Sequence, residues 1–113
     1  MSYVATRSVT VANGASLSGA LDVGDYTIVG VITDSAWDTN ALTFQASADG
    51  VNFFNLYNEG TEVNFAGTVA STYHIIDPAL MFGVRSIKVR SGTGATPVNQ
   101  VGATVVTVIM RPV

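Results

Sequence analysis

The 113-residue sequence contains no cysteine, which excludes a disulfide framework and any thiolate metal site. Charge is scarce. Asp, Glu, Lys and Arg together make up 12% of the chain, about half the usual share. There is one histidine, His74, and no HxxxH, HExxH or CxxC spacing, so the common metal constellations are missing. No apolar run approaches the ~20 residues needed to span a bilayer. Met1-Ser2-Tyr3 has neither the basic start nor the apolar core of a secretory signal, so the chain is expected to be made and used without Sec export. No segment sustains a 3.6-residue apolar period for more than two turns. The net charge of −3 gives no global attraction to nucleic acid.

What remains is rich in β-branched and small residues. Hydrophobic residues reach 48%, and turn residues recur at short intervals. The stretch Ala41–Tyr57, ALTFQASADGVNFFNLY, is the strongest signal. Leu42, Phe44 and Ala46 alternate with Thr43, Gln45 and Ser47, the period of a strand with one buried face. Ala48-Asp49-Gly50 supplies a turn that calls for positive φ at Gly50. Phe53, Phe54, Leu56 and Tyr57 return across the first strand. The three-residue spacing of Phe53 and Leu56 breaks strict alternation, so a bulge intervenes or one of the two is exposed.

Further strands are expected over 3–11, 26–33, 62–65, 73–76, 84–91 and 101–110, with 17–21 a short strand or an extended link. YTIVGVIT (26–33) is almost continuously apolar, as in a central strand buried on both faces. Gly30 inside it leaves room for a large neighbouring side chain. Asp77-Pro78 ends a strand, and 78–82 forms at most one helical turn. In VRSIKVRS (84–91), Ile87 and Val89 are assigned inward, Lys88 and Arg90 to water. Segments 34–40, 66–72 and 92–100 read as loops. One domain over 1–113 follows, an all-β antiparallel β-sandwich of about eight strands, jelly-roll or discoidin-like.

The search for chemistry finds little. His74 has no local nucleophile or carboxylate partner and reads as structural. Asp34 and Asp38 lack the alternate acids of a calcium loop. Gly92-Thr93-Gly94 has neither the lysine nor the helix of a phosphate cradle. Arg85, Lys88 and Arg90 make a small basic strip without interleaved aromatics. The candidate interaction loop is Trp37-Asp38. Either the ring folds back to plug the end of the sandwich, or it offers a face for sugar stacking, as in a carbohydrate-binding module using Trp37 and nearby tyrosines. No catalytic residue, cofactor or metal is expected, and no enzyme. All eight acidic residues precede residue 78 and four of the five basic residues follow it. Such a division suits neutralisation within one sheet or pairing between copies.

Ser47-Ala48-Asp49-Gly50, followed by Phe53 and Leu56, resembles the turn of discoidin-like sandwich domains, and 84–89 resembles their arginine-bearing strand. A broader pattern resembles small proteins encoded in tailed-phage and prophage genomes. It comprises Leu21-Asp22-Val23-Gly24, Ile28–Val31, Trp37, Leu42–Tyr57, Ile76-Asp77-Pro78, and Phe82-Gly83 through Arg90-Ser91-Gly92, across residues 17–110. This resemblance implies a structural virion protein of a tailed bacteriophage, expected on the head exterior as a capsid decoration or head-fibre subunit. The implied partners are other phage structural proteins, the major capsid protein first, and further copies of the chain as a homo-oligomer. No nucleic acid or membrane partner is implied. The implied location is the virion, after synthesis in the bacterial host cytoplasm.

Overall fold

The computed structural model describes residues 4–38 and 41–112. Met1-Ser2-Tyr3, which bear on the secretory reading and begin the strand expected over 3–11, lie outside the described residues, as do Thr39-Asn40 of the 34–40 loop. The architecture is all-β and antiparallel. Its strands are β1 (Ala5–Val11), β2 (Leu21–Asp22), β3 (Tyr26–Thr33), β4 (Ala41–Ser47), β5 (Phe54–Asn55), β6 (Tyr57–Asn58), β7 (Thr61–Glu62), β8 (Asn64–Ala66), β9 (Tyr73–Ile75), β10 (Ser86–Ser91) and β11 (Thr104–Pro112). One sheet has the order β1-β11-β3-β9. The other has the order β2-β10-β4-β5, with β8 also paired to β4. β6 and β7 form a separate hairpin.

The core lies between the two large sheets. Ile28, Val31, Val106, Val108 and Met110 from the first sheet meet Leu42, Phe44, Ile87 and Val89 from the second, all fully buried. Each such side chain contributes roughly 1.5–3 kcal/mol by leaving water. The ring of Phe65 on β8 meets Phe44 edge-on at 5.9 Å between centroids, closing one flank. β3 lies between β11 and β9, as its apolar sequence requires. The β3–β11 register slips at Ile109/Met110, which pair with Gly30 and Ile28 and leave Val29 as the extra residue. On the outer face of β3 the Tyr73 ring covers Gly30. A Cβ at position 30 would lie 3.0 Å from Tyr73 Cε1 and 3.0 Å from the His74 carbonyl oxygen.

The central hairpin forms with its turn at 48–50 and with Gly50 at φ +81°. Its return is not one strand. β5 pairs with Gln45 and Ala46 for two residues, then the chain bends, and Leu56 N–H donates to the Phe44 carbonyl at 3.0 Å. The bend explains the three-residue spacing. Phe53 and Leu56 are both half-buried, while Phe54 is exposed. The expected 62–65 strand likewise divides at Val63, whose N–H donates to the Leu56 carbonyl. The 17–21 segment makes a single bridge from Leu17 to Arg90 before β2. Pro78–Leu80 forms one 3-10 turn, capped by Asp77 Oδ1 accepting from Ala79 N–H at 3.0 Å.

Candidate functional site

Trp37 and Asp38 sit at one end of the sandwich and point in different directions. The Trp37 ring is 3% exposed and packs with the core, so it presents no open face for stacking. Its Nε1 has no hydrogen-bond partner among the described residues. Asp34 fixes the loop around it. Asp34 Oδ1 accepts from Thr104 Oγ1 at 2.6 Å and from Ala36 N–H, and Oδ2 accepts from Val105 N–H at 2.9 Å. Burial alone pushes the Asp34 carboxyl up, but these bonds, together with one from Trp37 N–H, outweigh it and hold the group below its ordinary value.

Asp38 is exposed and joins two loops. Its N–H donates to Gln100 Oε1 at 3.2 Å, and its Oδ2 accepts from Val101 N–H at 2.9 Å. Gln100 is itself buried and donates from Nε2 to Ser91 Oγ. The 34–40 and 92–100 loops therefore meet at this end, with Val101 83% exposed beside them. Nothing in the sequence marks Gln100 as the residue that staples them.

The largest departure from the sequence reading is Arg90. Alternation assigns it to water, yet it is 5% exposed. Alternation is obeyed, because Arg90 does leave the core face. The outer face of β10 is then roofed by the 53–62 and 92–96 segments. Arg90 Nη2 pairs with Glu62 Oε2 at 2.6 Å, Nη1 donates to Asn55 Oδ1 at 2.8 Å, and Nε donates to Thr43 Oγ1 at 3.0 Å. Gly94 N–H completes the cluster by donating to Glu62 Oε2 at 2.9 Å. The approach is close enough that a Cβ on Gly94 would lie 2.6 Å from Asn55 Nδ2. The Gly92-Thr93-Gly94 motif is thus a lid on an ion pair. The basic strip is broken up as well, since Lys88 Nζ rests 4.4 Å over the Phe53 ring. His74 is half-buried, with Nε2 2.8 Å from Thr72 Oγ1 and its ring tilted against Phe65.

A groove of about 440 Å³ opens where β5 and the 3-10 turn leave the mouth of the sandwich uncovered. Ala46, Leu56, Leu80 and Val84 form its apolar wall, with Phe54 and Tyr57 on the rim, 71% and 57% exposed. No charged residue lines it. Sequence reasoning flagged broken alternation between Phe53 and Leu56 but could not place this groove, because its other wall comes from Leu80 and Val84, far along the chain. The available signal was three aromatic residues within five positions, too many for one buried face. Among the described residues no group of three His, Cys, Asp or Glu side chains is placed to hold a metal. Among the described residues no helix is long and apolar enough to cross a membrane.

No family model matches the chain, and no curated protein does. Among solved structures, the chain is similar to the SPBc2 prophage-derived protein YomS, with a TM-score of 0.57 and 17% identity over 98% of this chain and 96% of that one. A chain of the cyanophage Pam1 capsid asymmetric unit aligns with 99% of this chain and 85% of its own length, at 16% identity and a TM-score of 0.37. The likeness to YomS establishes a shared fold along nearly the whole of both chains.

Proposed function

We propose that this protein is a structural component of a tailed-phage virion, a capsid decoration subunit that docks repeatedly on the head exterior. The observation that carries the reading is the end-to-end fold shared with the prophage-derived YomS. The phage-type sequence pattern across residues 17–110 supports it independently. The surface suits such work, because exposed apolar side chains at Phe54, Ile75, Phe82 and Val101 are the kind that a particle lattice covers. The major capsid protein is the proposed partner. The end carrying Asp38 and Val101 is the proposed interaction loop, with the backbone of Asp38 and its carboxylate holding the surface in shape while Trp37 anchors it from beneath.

The test is to quantify this protein in purified particles against the major capsid protein. Many tens of copies per particle is the expected result. Fewer than about a dozen moves the protein to the neck, the tail or a vertex. Absence from particles overturns the reading.

A further inference from the structure

The outermost strands of the two large sheets are β1 and β9 on the first, and β2, β5 and β8 on the second. All but β1 have two or three residues. β1 has seven. Sandwiches discourage pairing at their edges by keeping edge strands short, or by placing Pro, Lys or a bulge on them. β1 uses none of these devices. ATRSVTV has no Pro and no Lys, and its register with β11 runs unbroken from Ala5↔Met110 to Val11↔Thr104. Its one charged residue, Arg7, donates from Nη1 to the Asp22 carbonyl on β2 at 3.1 Å.

The ladder fixes which backbone groups of β1 are free. Ile76 N–H donates to the Val29 carbonyl, and Thr33 N–H to the Thr72 carbonyl, so these β3 residues turn toward β9. Backbone groups alternate sides along a strand, so Gly30 and Ile32 turn toward β11 and are met there by Ile109 and Thr107. Val106 and Val108 then turn toward β1 and engage Val9 and Arg7. Thr6, Ser8 and Thr10 are left with N–H and C=O directed out of the sheet. No strand among the described residues pairs with that side, and all three side chains are exposed.

We infer that β1 is the interface to a second copy of this chain, joined β1 to β1 in antiparallel fashion about a two-fold axis at Ser8. What selects a second copy is that the strand complements itself. With the axis at Ser8, the two Ser8 residues exchange both backbone bonds, and Thr6 exchanges both with the partner's Thr10. Every outward N–H and C=O of Thr6, Ser8 and Thr10 is thereby satisfied. Hydroxyl side chains meet across the ladder, Ser8 with Ser8 and Thr6 with Thr10, a pairing that stabilises sheets. On the opposite face Arg7 lies across from the partner's Val9, so no charge meets its like. A strand of other sequence would need small uncharged residues in the same register, whereas a second β1 supplies them by symmetry. The two four-stranded sheets become one continuous sheet. A contact of this kind is small, so association is expected in the micromolar range or weaker.

The experiment combines sedimentation over a concentration series with amide exchange at Ser8 and cysteine cross-linking. The Ser8 amide is expected to exchange freely when dilute and to gain protection as the dimer forms. The chain has no cysteine, so a single introduced thiol reports the register. Residues that exchange backbone bonds lie about 5.5 Å apart at Cα, within disulfide range. Ser8→Cys is expected to give a covalent dimer on air oxidation. Thr6→Cys alone is not, because Thr6 faces the partner's Thr10, while Thr6→Cys mixed with Thr10→Cys is. Ser8→Pro removes an N–H that no bond within the chain uses, so the fold is expected to survive, as thermal melting checks, while association weakens about tenfold or more. Ser8→Lys sets like charges across the axis and is expected to do the same; it decides the matter if the proline variant fails to fold. A protein that stays monomeric to millimolar concentration overturns the inference. So does a dimer whose Ser8 amide remains unprotected, one indifferent to Ser8→Lys, or one that Thr6→Cys links as readily as Ser8→Cys. These outcomes concern the isolated protein, so failure here leaves the particle count, and the virion reading it tests, untouched.

Discussion

At Arg90 a charged side chain is sealed under loops with Glu62, whose side chain is 15% exposed. The pair is held on several sides by Asn55, Thr43 and the Gly94 backbone. Burial removes water from both ions, so the attraction between them largely offsets desolvation, and the net stabilisation is small. Removing one partner is different, because the other is left buried and unpaired. Arg90→Met is therefore expected to cost about 3 kcal/mol or more. Adding Glu62→Leu is expected to recover part of that loss, so the double variant is more stable than the two single losses added together. Urea unfolding of the four proteins in this cycle measures the difference, and strict additivity contradicts the sealed pair.

Asp34 and Asp49 set the acid response at the same scale. Asp49 Oδ1 accepts from the N–H groups of Asn52 and Val51, with further bonds from the Asn52 side chain and Ser47 Oγ, and these hold its carboxyl well below the ordinary range. Asp34 is lowered too, its hydrogen bonds outweighing burial. A carboxyl with a depressed folded value binds its proton more readily in the unfolded chain. Its stabilisation is complete above the unfolded value, about 4, and is lost as the pH falls from there through the folded value. Melting temperature is expected to decline on acidification below about pH 4. Asp34→Asn is expected to lower it at neutral pH and to make the acid decline shallower. A variant with an unchanged pH profile removes Asp34 from the account.

Among the elements, the β4–β5 hairpin shows what the period-two pattern transmits and where it stops. Leu42 and Phe44 are fully buried, as alternation requires. Leu56 is only half-buried because the return strand bends after two paired residues. The two core substitutions should separate accordingly. Phe44→Ala is expected to cost about 3–5 kcal/mol through the cavity it leaves. Leu56→Ala is expected to cost about half of that, since part of its surface already faces water. Equal losses by chemical denaturation contradict the bent return. β3 was legible almost to the residue, because its nearly continuous apolar and β-branched run is bounded by Asp25 and Asp34. The 62–65 region was not, because Val63 faces the core between two short strands that pair with different neighbours, β7 with β6 and β8 with β4.

For the molecule as a whole, Trp37 reports on closure of the sandwich. Its buried ring is expected to emit at short wavelength in the native state, to shift red on unfolding and to ignore added oligosaccharides. A red-shifted native spectrum, or one quenched by a glycan, contradicts the packing and returns the stacking role to this loop.

The sequence by itself determined the class of structure. Absence of cysteine and of helical period, with β-branched residues alternating between Gly, Asn and Asp turns, leaves few architectures besides an antiparallel sandwich. It determined the inward set at Leu42, Phe44, Ile87 and Val89, because a strand's facing is a local property with a period of two. Only the tertiary structure decided the fate of outward-facing residues. Whether Arg90 meets water or Glu62, and whether Phe54 is covered or left on the rim of a groove, depends on loops from distant parts of the chain folding over that face. Those contacts are non-local, and alternation along a strand carries no information about what lies above it.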